Sequence, residues 1–311
     1  MTDLDRRSLI ALSLTAAALP ATMAAAAEAE TMPLWPGRPP GARATLPKPG
    51  RKPTPEARIT GVAQPTIAIR RPATANGIGV LVIPGGGYGF VSLDNEGNRV
   101  ADRLAAQGYT VFILTYRLPA EGWDAQADVP LQDAQRAMRL IRAGATRFGI
   151  DAAKVGVLGF SAGGHLAASL ATAYDERVYT PVDAADRQPA KPAFAGLMYA
   201  VTTLELPDTH VGSRENLLDR NAPDAAVLRR SPLRHIDAKT PPCFLVHALD
   251  DDVVPASCSL RWLDACIAAK VPVEAHILQS GGHGFGVQLP DAQPGSLWPE
   301  AFVRWVPRQF A

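Results

Sequence analysis

The sequence has little of what marks nucleic-acid-binding, membrane-spanning or disulfide-rich proteins. Its 31 basic and 30 acidic residues leave a formal net charge of +1, which gives no reason to expect a nucleic-acid or membrane partner. The apolar run LIALSLTAAALP near the start is too short to span a bilayer. The three cysteines are an odd number and provide no disulfide framework. With 47% hydrophobic residues over 311 positions, the composition is that of a globular chain with a large core.

The first 27 residues have the pattern of an export signal. Arg6 and Arg7 precede the apolar run, and small residues at Ala24 to Ala27 offer cleavage sites. Charged, apolar and small-residue segments in this order are typical of a signal peptide, and the paired arginines are similar to a twin-arginine signal. We therefore expect a leader at residues 1–27 and a periplasmic or secreted mature protein. The alternative is an uncleaved N-terminal helix.

The remaining chain divides into an arm and one domain. Residues 28–65 are rich in proline and glycine, which predicts an extended arm over the surface with Leu34 and Trp35 as anchors. From residue 66 onward, apolar runs typical of strands alternate with segments of helical periodicity. This alternation predicts an α/β domain over residues 66–311, with a mostly parallel sheet covered by helices on both faces. The segments that we read as strands are PTIAIRR, GIGVLVIP, YTVFILTY, KVGVLGF, AFAGLMYA, PCFLVHAL and PVEAHILQ, and those that we read as helices are EGNRVADRLAAQG, LQDAQRAMRLIRAGATRFG, AGGHLAASLATAY, residues 250–270 and LWPEAFVRWVPRQF.

The region from about 202 to 236 breaks this alternation. It is polar, lies between two predicted core strands and favours a short helix at Ser213 to Leu218. Such an insertion either covers a site and selects its ligand or is a surface excursion without a functional role.

A lone serine stands between glycines where a predicted strand meets a predicted helix, in the pattern Gly159-Phe160-Ser161-Ala162-Gly163. This context is typical of a nucleophile elbow, whose strained turn needs small neighbours and lifts the serine to the carboxyl edge of the sheet. The backbone N–H of Ala162 would then be free to stabilise an oxyanion, with help from the helix N-terminus. Close packing of a helix on a sheet is the alternative explanation of the same glycines.

A serine nucleophile needs a base, and His283 is the best candidate among the six histidines. It stands in SGGHGFG, a glycine-dense loop directly after a predicted strand, where glycines let the imidazole approach another backbone closely. The other five histidines are expected elsewhere: His165 in or along the domain, His210 and His235 in or beside the insertion, and His247 and His276 as core residues of strands.

An orienting carboxylate and a second oxyanion donor are also present. Asp250, Asp251 and Asp252 follow the strand CFLVH, and spacing alone does not choose among them. The order serine, acid, histidine is that of α/β hydrolases and differs from the chymotrypsin and subtilisin orders. In VLVIPGGGYGF, Gly86 and Gly87 follow a strand and offer unobstructed N–H groups to a carbonyl oxygen. The alternative for this loop is a phosphate cradle, but no Walker lysine follows and the pattern does not match a dinucleotide fingerprint.

These segments together resemble secreted α/β hydrolases of the acetyl-xylan-esterase-like group, which are related to hormone-sensitive-lipase type esterases. The resemblance covers nearly the whole mature chain and includes LWPGRPPGA, IPGGGYGF, YRLP, LQDAQRAMRLIR, GFSAGGHLAASLA, SPLRHI, FLVHALDDDVVP and GGHGFG. The acid motif of that group, histidine, three residues, acid, two residues, Val-Pro, falls on Asp251. Hormone-sensitive-lipase type esterases commonly begin the oxyanion motif with histidine, where this chain has Pro84.

The resemblance implies a serine esterase that removes short acyl groups, acetyl above all, from carbohydrates through an acyl-enzyme. It implies no metal and no cofactor, and its partner would be a small-molecule or oligosaccharide ester. The insertion itself is polar, and a wall built from it could hydrogen-bond sugar hydroxyls; the sequence does not show which of its candidate residues face the site: Glu205, Asp208, His210, Arg214 and Asn216. One alternative is a general carboxylesterase or lipase-like enzyme, although no long apolar lid is evident. A second is a serine peptidase similar to the prolyl oligopeptidase catalytic domain, a family that usually carries a large propeller. The third is a non-catalytic ligand-binding protein on the same fold.

Overall fold

The computed structural model describes residues 30–43, 45 and 58–311. The predicted leader at residues 1–27 lies outside the described residues, as do positions 28, 29, 44 and 46–57 of the predicted arm. None of the helices in the described ranges is long and apolar enough to cross a membrane. The strands of this part are β1 (Glu30–Pro33), β2 (Arg58–Ile59), β3 (Thr66–Arg70), β4 (Gly79–Ile83), β5 (Val91–Ser92), β6 (Thr110–Thr115), β7 (Val155–Phe160), β8 (Ala195–Met198), β9 (Cys243–Ala248) and β10 (Val273–Leu278), and its α-helices are α1 (Arg99–Ala105), α2 (Val129–Ala143), α3 (Ala145–Phe148), α4 (Ser161–Thr172), α5 (Val211–Leu218), α6 (Asp224–Arg229), α7 (Ser257–Ala268) and α8 (Trp298–Trp305).

One sheet organises the domain, in the strand order β1-β3-β6-β4-β7-β8-β9-β10. The six strands from β6 to β10 in this order are parallel, whereas β3 pairs antiparallel with β6 and β1 pairs antiparallel with β3. The prediction of a mostly parallel sheet is confirmed. Because the carboxyl ends of parallel strands share one edge, the loops after β4, β7, β9 and β10 converge there.

Both faces of the sheet are buried under helices, as the sequence predicts. In β4, Val80 and Val82 belong to one apolar core, together with side chains of α1 and α8. Leu81 and Ile83 point to the other core, which contains side chains of α2, α4 and α7. Successive side chains of a strand alternate between faces, so a strand covered on both sides needs a continuous apolar run.

Some helix boundaries differ from the predicted ones for local reasons. The helix expected over residues 250–270 begins only at Ser257, because the backbone N–H groups of Val253 and Val254 donate to the Asp251 carboxylate and close a turn. The closing helix α8 tightens after Trp305 into a 3-10 segment that contains Pro307. A π-helical turn, Asp94–Asn98, precedes α1.

Part of the predicted arm is an edge strand of the sheet. β1 pairs with β3 over four residues, which the pattern of ETMP did not indicate. Leu34 and Trp35 follow at 1% and 3% exposure, and the Trp35 indole N–H donates to Asp133 Oδ1 at 2.8 Å. Asp133 also accepts from the Arg117 guanidinium at 2.8 Å, and both side chains are fully buried. Arg117 in turn donates to the Pro40 carbonyl at 2.6 Å, so a buried ion pair attaches the arm to α2.

We expect Asp133→Asn to lower the free energy of unfolding by about 3–5 kcal/mol, measured by urea denaturation. The substitution leaves the Arg117 charge buried without a counter-charge, and breaking a buried pair on one side is strongly destabilising. The matched control is Asp102→Asn, because Asp102 pairs with Arg70 but is 63% exposed, where an ion pair contributes less than about 1 kcal/mol. A loss at Asp133 no larger than the loss at Asp102 would contradict the anchoring role.

Candidate active site

Ser161 is the first residue of α4 and follows β7 directly. Its φ of 52° lies in the left-handed region, which is strained for a residue other than glycine. The sharp turn brings backbones so close together that only glycine fits beside it: a Cβ on Gly159 would stand 2.3 Å from the Gly163 carbonyl oxygen, and one on Gly163 would stand 2.2 Å from that of Ile83. The turn presents the Ser161 hydroxyl at the carboxyl edge of the sheet.

Three predicted site residues form one continuous chain of hydrogen bonds. His283 Nε2 lies 2.9 Å from Ser161 Oγ, and His283 Nδ1 lies 2.7 Å from Asp251 Oδ2. The three residues come from the loops after β7, β9 and β10, which the parallel sheet brings to one edge. Since an ionised carboxylate can only accept, Nδ1–H of His283 donates to Asp251, and Nε2 is left to accept from the serine hydroxyl.

The environment of Asp251 keeps it charged. Burial opposes the charged form, but hydrogen bonds from His247, His283 and the Val254 N–H outweigh it and hold the pKa of Asp251 well below its usual range. The second oxygen, Oδ1, accepts from the N–H groups of Val253 and Val254, both at 2.9 Å. Asp251 therefore presents a fixed negative oxygen to the imidazole.

The glycine loop after β4 lies beside Ser161. Gly86 has φ of 121°, and a Cβ there would stand 2.1 Å from the Phe90 carbonyl oxygen, so only glycine fits. Gly87, at φ of 61°, is held through its carbonyl, which accepts from Asn216 Nδ2 at 2.8 Å. Gly86 and Gly87 line the same cavity as Ser161, and Ala162 lies in the first turn of α4, where N–H groups lack an intrahelical acceptor. Two of the three predicted oxyanion donors thus share a cavity with Ser161, and the third follows it in the chain.

A cavity of about 510 Å³ opens over Ser161 and His283. Two of its lining side chains, Phe90 and Val253, are apolar. The other lining residues are glycines or carry polar groups: Arg58, Gly86, Gly87, Gly89, Ser92, Asn95, Glu96, Ser161, His210, Gly212, Asn216, His283 and Gly284.

The insertion contributes α5 to the cavity wall, with two of its five candidate polar residues. His210 and Asn216 line the cavity. Glu205 instead pairs with Arg234 at 2.6 Å, and Asp208 with Arg261 at 2.8 Å. The predicted polar residue Arg214 donates to the Leu204 carbonyl at 3.1 Å. These three residues therefore satisfy partners within or beside the insertion and do not line the cavity.

The remaining histidines are mostly where the sequence places them. His165 is buried and bonded to the Tyr88 hydroxyl at 2.7 Å, and His247 is buried against Ser259 Oγ at 2.7 Å. The expectation that His276 is a core residue is wrong. Its side chain is 35% exposed because β10 is an edge strand, and it bonds to Glu274 at 3.1 Å.

Two buried residues beside the site, Glu96 and Tyr199, were not predicted from the sequence. Their side chains are bonded to each other although the residues lie 103 positions apart. The local pattern SLDNEG does not distinguish a buried carboxylate from a solvated one, because the burial depends on where β8 ends. No local signal could have identified the pair.

Comparison with known proteins places these features in a family. The BD-FAE family model matches residues 68–264, which include the glycine loop, the serine elbow and Asp251. Endo-1,4-beta-xylanase B of Butyrivibrio fibrisolvens is 33% identical over 67% of this chain and 32% of its own length. The acetylxylan esterase of Xylanibacter ruminicola is 29% identical over 69% of this chain and 42% of its own length. The chain thus spans a third to somewhat over half the length of the curated relatives that it matches.

A solved structure extends the similarity over most of the chain. The acetyl ester-xyloside bifunctional hydrolase of Caldicellulosiruptor lactoaceticus superposes with a TM-score of 0.74 and 30% identity. The match covers 90% of this chain and 96% of that protein. The predicted α/β-hydrolase fold is confirmed, and so is the resemblance to the acetyl-xylan-esterase-like group.

Proposed function

The chain belongs to the BD-FAE family, and on this premise we propose that it is a serine-dependent carboxylic ester hydrolase. Its substrates are short-chain esters of carbohydrates, acetyl esters first, and it works through an acyl-enzyme. The observation that carries the proposal is the hydrogen-bonded chain from Ser161 through His283 to Asp251 at the floor of an open cavity. The names of two similar proteins, an acetylxylan esterase and an acetyl ester-xyloside hydrolase, support the substrate class.

The proposed reaction has two half-reactions that share one proton carrier. His283 takes the hydroxyl proton of Ser161 while Oγ attacks the ester carbonyl carbon, and the N–H groups of Ala162, Gly86 and Gly87 hold the oxyanion. His283 then gives the proton to the departing sugar oxygen, which leaves the acyl group on Ser161. A water molecule loses a proton to His283 and attacks the acyl-enzyme. The acid leaves, and the proton returns to Ser161.

The insertion gives the cavity wall polar side chains suited to a sugar. His210 and Asn216 line the cavity beside the apolar side chains Phe90 and Val253, and an imidazole and an amide can bond sugar hydroxyls. The proposal therefore places the carbohydrate against the insertion.

His210 has the geometry of a donor to such a ligand. It caps α5 by accepting the Ser213 N–H at Nδ1, 3.2 Å away, and the Ser213 hydroxyl lies 2.8 Å from the same nitrogen. Burial and the neighbouring His283 lower the pKa of His210, so the ring stays neutral with its proton on Nε2. The cavity is the space into which this N–H can donate.

The proposed site of action is outside the cytoplasm. The support is the order of charged, apolar and small-residue segments in residues 1–27. Polymeric carbohydrate is accessible to an exported enzyme, and an intracellular metabolite is not.

We expect an acetylated xylo-oligosaccharide to be hydrolysed with a higher kcat/KM than a long-chain aryl ester, with the two substrates in direct competition. Peptide substrates should not be cleaved. If the long-chain ester is preferred tenfold, a difference of about 1.4 kcal/mol in transition-state stabilisation, a lipase-like esterase replaces the carbohydrate esterase. Peptide cleavage would favour the peptidase, and no turnover of any of these substrates would favour a binding protein.

A pair of histidine variants sharpens this competition. His210→Ala should lower kcat/KM for the sugar ester by about 3- to 10-fold, the equivalent of one neutral hydrogen bond, and lower that for the aryl ester by less. His235→Ala is the matched control, because His235 is exposed and bonds to the carbonyls of Leu228 and Arg229. If His210→Ala lowers kcat/KM equally for both esters, His210 has no specific role in sugar recognition.

A further inference from the structure

A carboxylate lies buried beneath the glycine loop and takes no part in the proton transfers described above. Glu96 is 4% exposed and belongs to the π-helical turn before α1. Its Oε2 accepts the Gly85 N–H at 2.8 Å, and its Oε1 accepts the Tyr199 hydroxyl at 2.8 Å. Burying a carboxylate is costly unless its oxygens are bonded, so these two contacts fix where the side chain lies.

Tyr199 continues this chain of contacts to the loop of the base. It follows β8 with φ of 38°, a strained conformation for a tyrosine, and is fully buried. Its hydroxyl donates to Glu96 and accepts the Gly286 N–H at 3.0 Å. Its ring stands edge-on against the imidazole of His283, with centroids 4.9 Å apart.

We propose that Glu96 and Tyr199 are a positioning pair that ties the oxyanion loop at Gly85 to the His283 loop at Gly286. The proposal rests on the proposed esterase function and adds residues to it that do not exchange protons with the substrate. Glu96 accepts the Gly85 N–H and so fixes the Pro84–Gly85 peptide, one residue before Gly86. The oxyanion donors and the base then keep one mutual geometry, which transition-state stabilisation requires.

Asn95 strengthens the same connection from the neighbouring position. Its side-chain amide donates to the Gly284 carbonyl at 2.7 Å, next to His283. The Trp298 indole N–H donates to the Gly286 carbonyl at 2.7 Å and closes the far side of the loop. All of these contacts end on backbone N–H or carbonyl groups of the His283 loop, at Gly284 and Gly286. The loop is therefore held by side chains from other parts of the chain.

Two substitutions cut this chain with little change of shape. Tyr199→Phe removes the hydroxyl and keeps the ring against His283. Glu96→Gln keeps the size, but one end of its amide is a donor, so it cannot accept from both Gly85 and Tyr199. Each variant should lower kcat for a small aryl acetate by about 10- to 100-fold with KM within about threefold, because the substrate still binds and only its transition state is misaligned.

The double variant and two matched controls separate positioning from loss of stability. The double variant Glu96→Gln/Tyr199→Phe should have a kcat no more than about threefold below that of the less active single variant, because both substitutions break the same connection between the two loops. Tyr109→Phe removes a largely buried hydroxyl that donates to the Val303 carbonyl, and Glu121→Gln changes a carboxylate that accepts two backbone N–H groups; neither residue lines the cavity. We expect the controls to keep kcat within twofold. Losses that appear only in KM, or that the controls share, would overturn the proposal.

Amide hydrogen exchange tests the connection without using activity. If the pair joins the two loops, Glu96→Gln should speed exchange at Gly286 as well as at Gly85, and Tyr199→Phe should do the same at Gly85. Exchange that rises only beside the substituted residue would show two separate local bonds and refute the proposal. If the exchange at Gly85 and Gly286 is coupled but the protein hydrolyses no ester, the connection between the loops stands and the proposed esterase function fails. The failure of one proposal can therefore be told from the failure of the other. If Glu96→Gln does not fold, Tyr199→Phe alone decides by the same two measurements.

Discussion

Ser161→Ala should abolish ester hydrolysis, with a loss of kcat of about 10⁴-fold or more, while the protein stays folded. The variant lacks the oxygen that attacks the ester carbonyl, and the N–H groups around the site cannot replace it. The fold should survive because alanine has a Cβ like serine and meets the same strain at a φ of 52°. The measurement is hydrolysis of an aryl acetate, with circular dichroism and the thermal midpoint as checks on folding.

Ser169→Ala is the control for this experiment. Ser169 is a second buried serine on α4, two turns beyond the elbow, and should keep activity within twofold. If Ser161→Ala keeps a tenth of the wild-type rate, Ser161 is not the nucleophile and the proposed function fails.

Asp251→Asn should lower kcat by about 10² to 10⁴-fold without unfolding the protein. The amide oxygen would stay on the N–H groups of Val253 and Val254, which turns the amide NH₂ toward His283. Nδ1 of His283 must then accept, so its proton moves to Nε2 and the ring can no longer take the proton of Ser161. The loss of kcat would come from the changed tautomer of His283 and not from a shift of its ring.

Asp250→Asn and Asp252→Asn test the choice of Asp251 as the orienting acid, and both should lower kcat much less than Asp251→Asn does. Asp250 accepts the Gly282 N–H at 2.8 Å, which an amide oxygen can still do, and Asp252 is exposed. A severe loss in either variant, with Asp251→Asn nearly active, would place the orienting carboxylate one residue away from Asp251.

The parts of the fold that the sequence predicted are those with a short-range physical cause. Strands buried on both faces need continuous apolar runs, which is why β4 and β7 were recognisable. The elbow was recognisable because close backbone approach at Gly159 and Gly163 admits no side chain. His283 was recognisable because glycines flank it, and Gly282 and Gly284 do adopt φ of 63° and 74°.

What the sequence did not predict depends on distant partners. Spacing alone left three aspartates open, and the resemblance chose Asp251; in the structure, this is the carboxylate bonded to His283. The strand Glu30–Pro33 forms because the edge of β3 is free to pair with it, and its own residues carry no such signal. Glu205 and Asp208 do not line the cavity, because Arg234 of the insertion and Arg261 of α7 pair with them.

The positions of β7 and β10 in the sheet give Ser161 and His283 different supports. β7 lies between β4 and β8 with every residue buried, whereas β10 is an edge strand whose residues are all partly exposed. In the proposed mechanism, Ser161 holds a strained backbone through both half-reactions, and the middle of the sheet resists its relaxation. His283 lies after an edge strand, between two left-handed glycines, so its loop depends on the hydrogen bonds of Tyr199, Asn95 and Trp298 to hold its place. The sheet itself thus supports the serine, whereas side chains from other elements support the histidine.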